Sequence, residues 1–157
     1  MKKNEPKLKL ELILTEKLTI QAGIKNTSDE KISLFPQPLT LAIKNRWGKK
    51  IDWTGDLESV RSQTAPEPGP TLKDLITIEP HQSYVLTEVG FRPIEDKHEL
   101  CWENRFIYRL KPGKYIFEAS MAADGKYWDD DSKKYTTKTG VWTGEFSTKT
   151  KIRLPKM

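Results

Sequence analysis

The chain has 157 residues, enough for one domain with a real core, and a net charge of +5. Apolar residues make up 36%, charged residues 31% and aromatic residues 10%, which excludes a disordered chain and points to a small core under a large solvated surface. The charge is uneven, +6 over residues 1–50, −6 over 51–106 and +5 over 107–157; most of the positive charge is lysine spaced singly along strand-like segments, a pattern of solvated strand faces and edge protection that argues against nucleic acid as partner.

Period two dominates from the start. Leu8, Leu10, Leu12 and Leu14 alternate with Lys9, Glu11 and Ile13. Leu18, Ile20, Ala22 and Ile24 alternate with Thr19, Gln21, Gly23 and Lys25. Each set predicts a strand with one buried face. Residues 25–31, "KNTSDEK", predict a turn. "ISLF" is a short strand, stopped at Phe35-Pro36-Gln37-Pro38. Leu39, Leu41 and Ile43 begin another, and "NRWGKK" turns it with Gly48 at a positive φ. Ile51 to Trp53 return.

Alternation fails from Thr54 to Asp74. Within it "TAPEPGPT" cannot form a regular ladder, because its three prolines lack amide donors. A turn of helix is expected at "DLESVR". Leu75–Glu79 and Ser83–Phe91 resume the strand pattern around "EPHQ". Residues 93–104 read as a second irregular stretch. Phe106, Tyr108 and Leu110 lead to "KPGK", a tight turn that delivers Tyr115, Phe117 and Ala119 onto one face of a new strand. A tyrosine entering a core strand from a turn is the corner device of β-sandwiches, so Tyr115 is expected to be buried with its hydroxyl on nearby backbone. Beyond Met121 lies a third irregular stretch, and Val141–Thr148 and Lys151–Leu154 close the chain.

These elements predict an all-β fold, an antiparallel immunoglobulin-like β-sandwich of about eight to ten short strands with three long loops, as one domain over residues 1–157. The turn after the second strand ("IKNTSDEKISL"), the Gly-turned strand pair ("LTLAIKNRWGKKIDW"), the apolar-x-Pro turn ("ITIEPHQS") and the hairpin "LKPGKYIFEA" come in an order that resembles the bacterial immunoglobulin-like domains typified by the BsuPI-type intracellular proteinase inhibitors. The resemblance covers Leu18 to Met121. "PHQS" departs from it, standing where a Pro-Gly turn is usual, and residues 54–74 and 93–104 look like insertions. It implies the sandwich fold and, as a function, inhibition of a protease.

No residue set predicts catalysis. His98 and Cys101 are three apart in "KHELCW", a spacing that does not make them face one another, and they read as a loop histidine and a small buried thiol. With His81 they are the only His and Cys residues, so a zinc site would need carboxylates to complete it. Asp124, Asp129, Asp130 and Asp131 lack the spacing of a calcium loop and read as a solvated hairpin tip. No metal or cofactor is expected.

Two loops are candidate binding surfaces. Tyr127, Trp128 and Tyr135 form an aromatic group beside those aspartates, suited to a sugar ring or to a protein partner; alternatively Trp128 folds back as a lid on the sandwich end. Pro66 and Pro68 stiffen an extended segment that could face a protease. Trp53, Trp102 and Trp142 are placed for the core or its rim. The expected role is non-catalytic binding of a protein through loops at one end, with carbohydrate binding by the loop aromatics as the alternative. The lone cysteine fits a reducing cytosol, and Lys9, Glu11 and Glu16 interrupt the opening where a signal peptide is apolar, so the expected location is the cytoplasm, with an exported form whose signal has been removed as the alternative and no membrane partner.

Overall fold

The structure is a computed structural model and describes residues 7–53, 55–56, 70–102 and 106–157. Strand is the dominant structure of the described residues. In chain order these are β1 (Leu8–Leu14), β2 (Thr19–Asn26), β3 (Ile32–Leu34), β4 (Thr40–Asn45), β5 (Lys50–Ile51) and β6 (Gly55–Asp56). A 3₁₀ turn, Leu72–Asp74, precedes β7 (Ile76–Ile78), β8 (Ser83–Gly90), β9 (Arg92–Ile94), β10 (Lys97–Trp102) and β11 (Phe106–Leu110). β12 (Gly113–Ala123), β13 (Lys126–Asp129), β14 (Lys134–Thr137) and β15 (Gly144–Leu154) complete the chain. No helix among the described residues is long and apolar enough to cross a membrane.

Every ladder is antiparallel, as the hairpin-rich sequence predicts. One sheet has the order β1-β2-β8, a second β15-β12-β4-β5 and a third β6-β11-β10-β9; β3-β7 and β13-β14 pair separately. Alternation sets which side chains turn inward. Leu8, Leu10 and Leu12 of β1 are buried with Ile20, Ala22 and Ile24 of β2. Across the second sheet Ile43 opposes Phe117, and both are fully buried. Each such aliphatic or aromatic side chain contributes about 1.5–3 kcal/mol when removed from water. Together they form one continuous core cluster running from Leu8 to Leu154.

The corner at "KPGK" forms as predicted. The Tyr115 hydroxyl donates to the Lys111 carbonyl at 2.6 Å. The ring is half-buried rather than buried, and that burial raises the phenol above its ordinary pKa. Gly48 adopts φ +88° at the expected turn. In β8 the pairing with β2 shifts between Ala22 and Gly23. There a side chain on Gly23 would come within 2.9 Å of the Tyr84 carbonyl, so the close approach of the two strands requires glycine.

Two stretches expected to be irregular carry strands among their described residues. Residues 93–104 were expected as loop, yet β10 carries His98, Leu100 and Trp102 into the core with Glu99 nearly buried on the other side. Alternation is hidden there because His98 and Glu99 are polar letters at buried positions. Lys126–Thr137 forms the β13-β14 hairpin, and the chain end is one strand, β15, not two. Of the fifteen strands among the described residues, β10, β13 and β14 and most of β9 lie in these two stretches, and β6 lies in the stretch from Thr54 to Asp74 that was also expected to be irregular. Of the expected turn of helix at "DLESVR", Asp56 ends β6 and residues 57–61 lie outside the described residues.

Candidate functional site

The β13-β14 hairpin is built by its aspartates. Asp124 Oδ1 accepts the Lys126 amide at 3.0 Å as the hairpin begins. At the tip Asp129 Oδ1 accepts the Asp131 amide and Oδ2 the Ser132 hydroxyl, each at 3.0 Å. Lys133, at φ +56°, donates its amide to the Asp129 carbonyl at 2.8 Å. The carboxylates therefore shape the turn, which is the usual local work of Asp. Among the described residues no three His, Cys, Asp or Glu side chains converge as a metal site would need.

Strand alternation divides the three aromatic residues. Trp128 opposes Tyr135 across the ladder, and their rings meet edge to face with centroids 5.1 Å apart. Tyr127 turns the other way, onto the fully buried Phe35 at 5.6 Å. Tyr127 is thus an anchor of the hairpin, and the outward pair is Trp128 with Tyr135, the latter 54% exposed. The Trp128 indole N–H donates to Asp130 Oδ1 at 2.9 Å, and its backbone amide donates to the Pro70 carbonyl at 2.7 Å. That last bond fastens the hairpin to the segment entering the 3₁₀ turn. Pro66 and Pro68 lie outside the described residues.

Pro70 opens onto a groove that the sequence did not disclose. Its volume is about 540 Å³, and Pro36, Pro38, Pro70, Ile76, Tyr84 and Leu86 line it. β8 ends the three-stranded sheet, and no further strand pairs with it among the described residues. Tyr84 is 41% and Val85 50% exposed on this strand. An open edge with apolar side chains is a template for another strand. The readable signal was "SYVLTEV", in which apolar residues fall on both faces and so cannot all be buried against one sheet.

The histidine–cysteine pair is separated. His98 points into the core, where its Nε2 bonds the Pro155 carbonyl at 2.8 Å, and Cys101 falls on the opposite face of β10. His98 is therefore a buried strand residue and not the loop histidine expected. Glu99 stands between Arg92 and Arg109, at 2.5 and 3.0 Å. The Arg109 hydrogen bond holds its carboxyl below the usual range against the opposing effect of burial, with Arg92 adding to the shift. Trp102 is buried with its indole N–H on the Leu39 carbonyl, and Trp142 packs at the rim on Phe146, as their places in the chain predict. No family model, curated protein or solved structure matches this chain.

Proposed function

We propose that this chain is a non-catalytic protein-binding module that seats an extended segment of its partner beside β8. The open β8 edge carries this reading, with Tyr84 exposed at a proline-lined groove and Val85 exposed on the other face of the strand. Main-chain bonds along such an edge supply affinity, and pockets for alternate side chains supply selectivity. The prolines lower the ordering cost of association, because they hold the groove wall in few conformations.

We read the fold as immunoglobulin-like. The sheet orders β1-β2-β8 and β15-β12-β4-β5 match the strand neighbourhoods of that architecture, and Tyr115 sits at the start of β12 where a corner tyrosine belongs. The family resemblance then narrows the partner to a protease, inhibited by occupation of its cleft with no chemistry by this chain. Carbohydrate binding is the alternative. It has less support, because Trp128 and Tyr135 meet edge to face and do not form one flat platform.

The test is capture from host lysate by the native chain, Tyr84→Lys and Trp128→Ala, run beside an affinity gel of polysaccharide. A specific retained protein that Tyr84→Lys fails to hold is expected, and a protease losing activity at equimolar ratio identifies the inhibitor. Retardation on a polysaccharide that vanishes in Trp128→Ala, with no protein retained, overturns the reading.

A further inference from the structure

The outward face of the β15-β12-β4-β5 sheet gathers cations from four strands. Its register sets Lys114 beside Arg153, Ile116 between Lys151 and Lys44, Glu118 beside Lys149, and Lys44 beside Lys50. Lys149, Lys151 and Arg153 are alternate residues of β15, so they stand in a row about 7 Å apart. Glu118 pairs with Lys44 at 3.0 Å and Lys149 at 3.3 Å. Lys50, Lys114, Lys151 and Arg153 have no ion pair among the described residues. This face has two glutamates, Glu118 and, beside Ala122 at its far end, Glu145, against Lys44, Lys50, Lys114, Lys149, Lys151 and Arg153, so it is strongly cationic.

An aromatic residue stands at the end of this row. Arg46 lines a cavity of about 320 Å³ with Lys114, Ile116, Lys151 and Arg153. Its guanidinium lies 4.4 Å from the ring centroid of Trp47, which is 76% exposed. That much open indole surface has no packing role, and the guanidinium–indole stack offers a flat surface next to the cations.

We propose that this face binds single-stranded nucleic acid without regard to sequence. A regular row of cations follows a phosphate backbone, while the Trp47–Arg46 stack receives an unpaired base. The face is the side of a β-sheet, with no helix among its described residues to enter a duplex groove, which favours a single strand over a double one. An acidic polypeptide would satisfy the charges but has no base to place on Trp47. The lysines lie singly along the chain, and only pairing of the strands brings them together.

The measurement is fluorescence anisotropy of a labelled oligothymidylate of about 20 nucleotides, longer than a typical single site. Duplex of the same length and polyglutamate serve as competitors. Neutralised phosphates release counterions, so log K should fall with log salt at a slope of about −3 for four contacts. Lys151→Gln with Arg153→Gln should reduce that slope by about 1.4. Trp47→Ala should weaken binding about ten-fold, with Trp47→Tyr retaining most of it. All these side chains are exposed, so an unchanged thermal melt separates lost binding from lost fold. No binding at low salt, a slope indifferent to the double substitution, or polyglutamate competing as well as oligothymidylate with Trp47→Ala without effect would each overturn the proposal.

Discussion

Asn26 shows how much one side chain can hold. It is fully buried at the end of β2, and its amide donates to the Glu30 carbonyl at 2.7 Å and to the Ile78 carbonyl at 2.9 Å. Its Oδ1 accepts the Ser28 amide and hydroxyl at 2.9 and 2.7 Å. One residue thus closes the turn after β2 and joins it to β7. Asn26→Ala leaves the buried Ile78 carbonyl without that donor and should cost about 2–3 kcal/mol by urea unfolding. A shift below about 0.5 kcal/mol, the range of ordinary surface changes, would deny it this role. The sequence showed a turn here but not its long-range bond, because Ile78 is remote in the chain and Asn is common in any turn. Tyr115 was legible because its partner is local. Tyr115→Phe removes one hydrogen bond at a half-exposed site and should cost about 1 kcal/mol; an unchanged denaturation midpoint would remove the corner's contribution.

At the scale of elements, β10 separates what pattern reveals from what packing decides. β1 and β2 were legible because apolar letters fill their inward positions as far as Ile24, with Asn26 the polar exception at the end of β2. β10 was not, since His98 enters the core through a bond to the Pro155 carbonyl and Glu99 is held by arginines from β9 and β11. Tertiary partners make these polar residues tolerable, and no local rule reports them. Leu100, fully buried in this strand, makes the placement testable. Leu100→Ala should cost about 3 kcal/mol if the strand lies in the core, against almost nothing in a solvated loop. Glu99 ties β9, β10 and β11 together electrostatically. Its pKa is depressed in the folded state, so its contribution is complete above the ordinary glutamate value of about 4.3. It is lost as pH falls below that value toward the folded one. Glu118 shifts the same way, through Lys44 first and Lys149 second, and adds to the same acid limb. Glu99→Gln should therefore lower stability at neutral pH and flatten its decline between about pH 5 and about pH 3. Parallel curves for native and variant would show that other carboxylates govern the acid limb.

Across the whole molecule the two proposed surfaces lie on different sheets and share no residue. The strand-pairing surface is the edge of β1-β2-β8, and the cationic surface is the outer face of β15-β12-β4-β5. Neither could be placed from the chain alone, although "SYVLTEV" carried a signal of the first. An edge is open or covered according to which strands become neighbours, and a face is basic or mixed according to register, which places Lys114 of β12 against Arg153 of β15 across a long separation in sequence. Substitutions that are distant and share no partner act additively, usually within about 0.5 kcal/mol. Tyr84→Lys should therefore abolish protein capture while leaving oligothymidylate affinity within about two-fold of native. Lys151→Gln with Arg153→Gln should do the reverse. A ligand that binds only the folded state raises its stability by about 2.7 kcal/mol at a hundred times Kd, so thermal shifts read both events on one scale. In the native chain the two ligands together should raise the melting temperature by the sum of their separate shifts, and each variant should lose one increment and keep the other. Loss of both increments in either variant would mean that one surface serves both ligands.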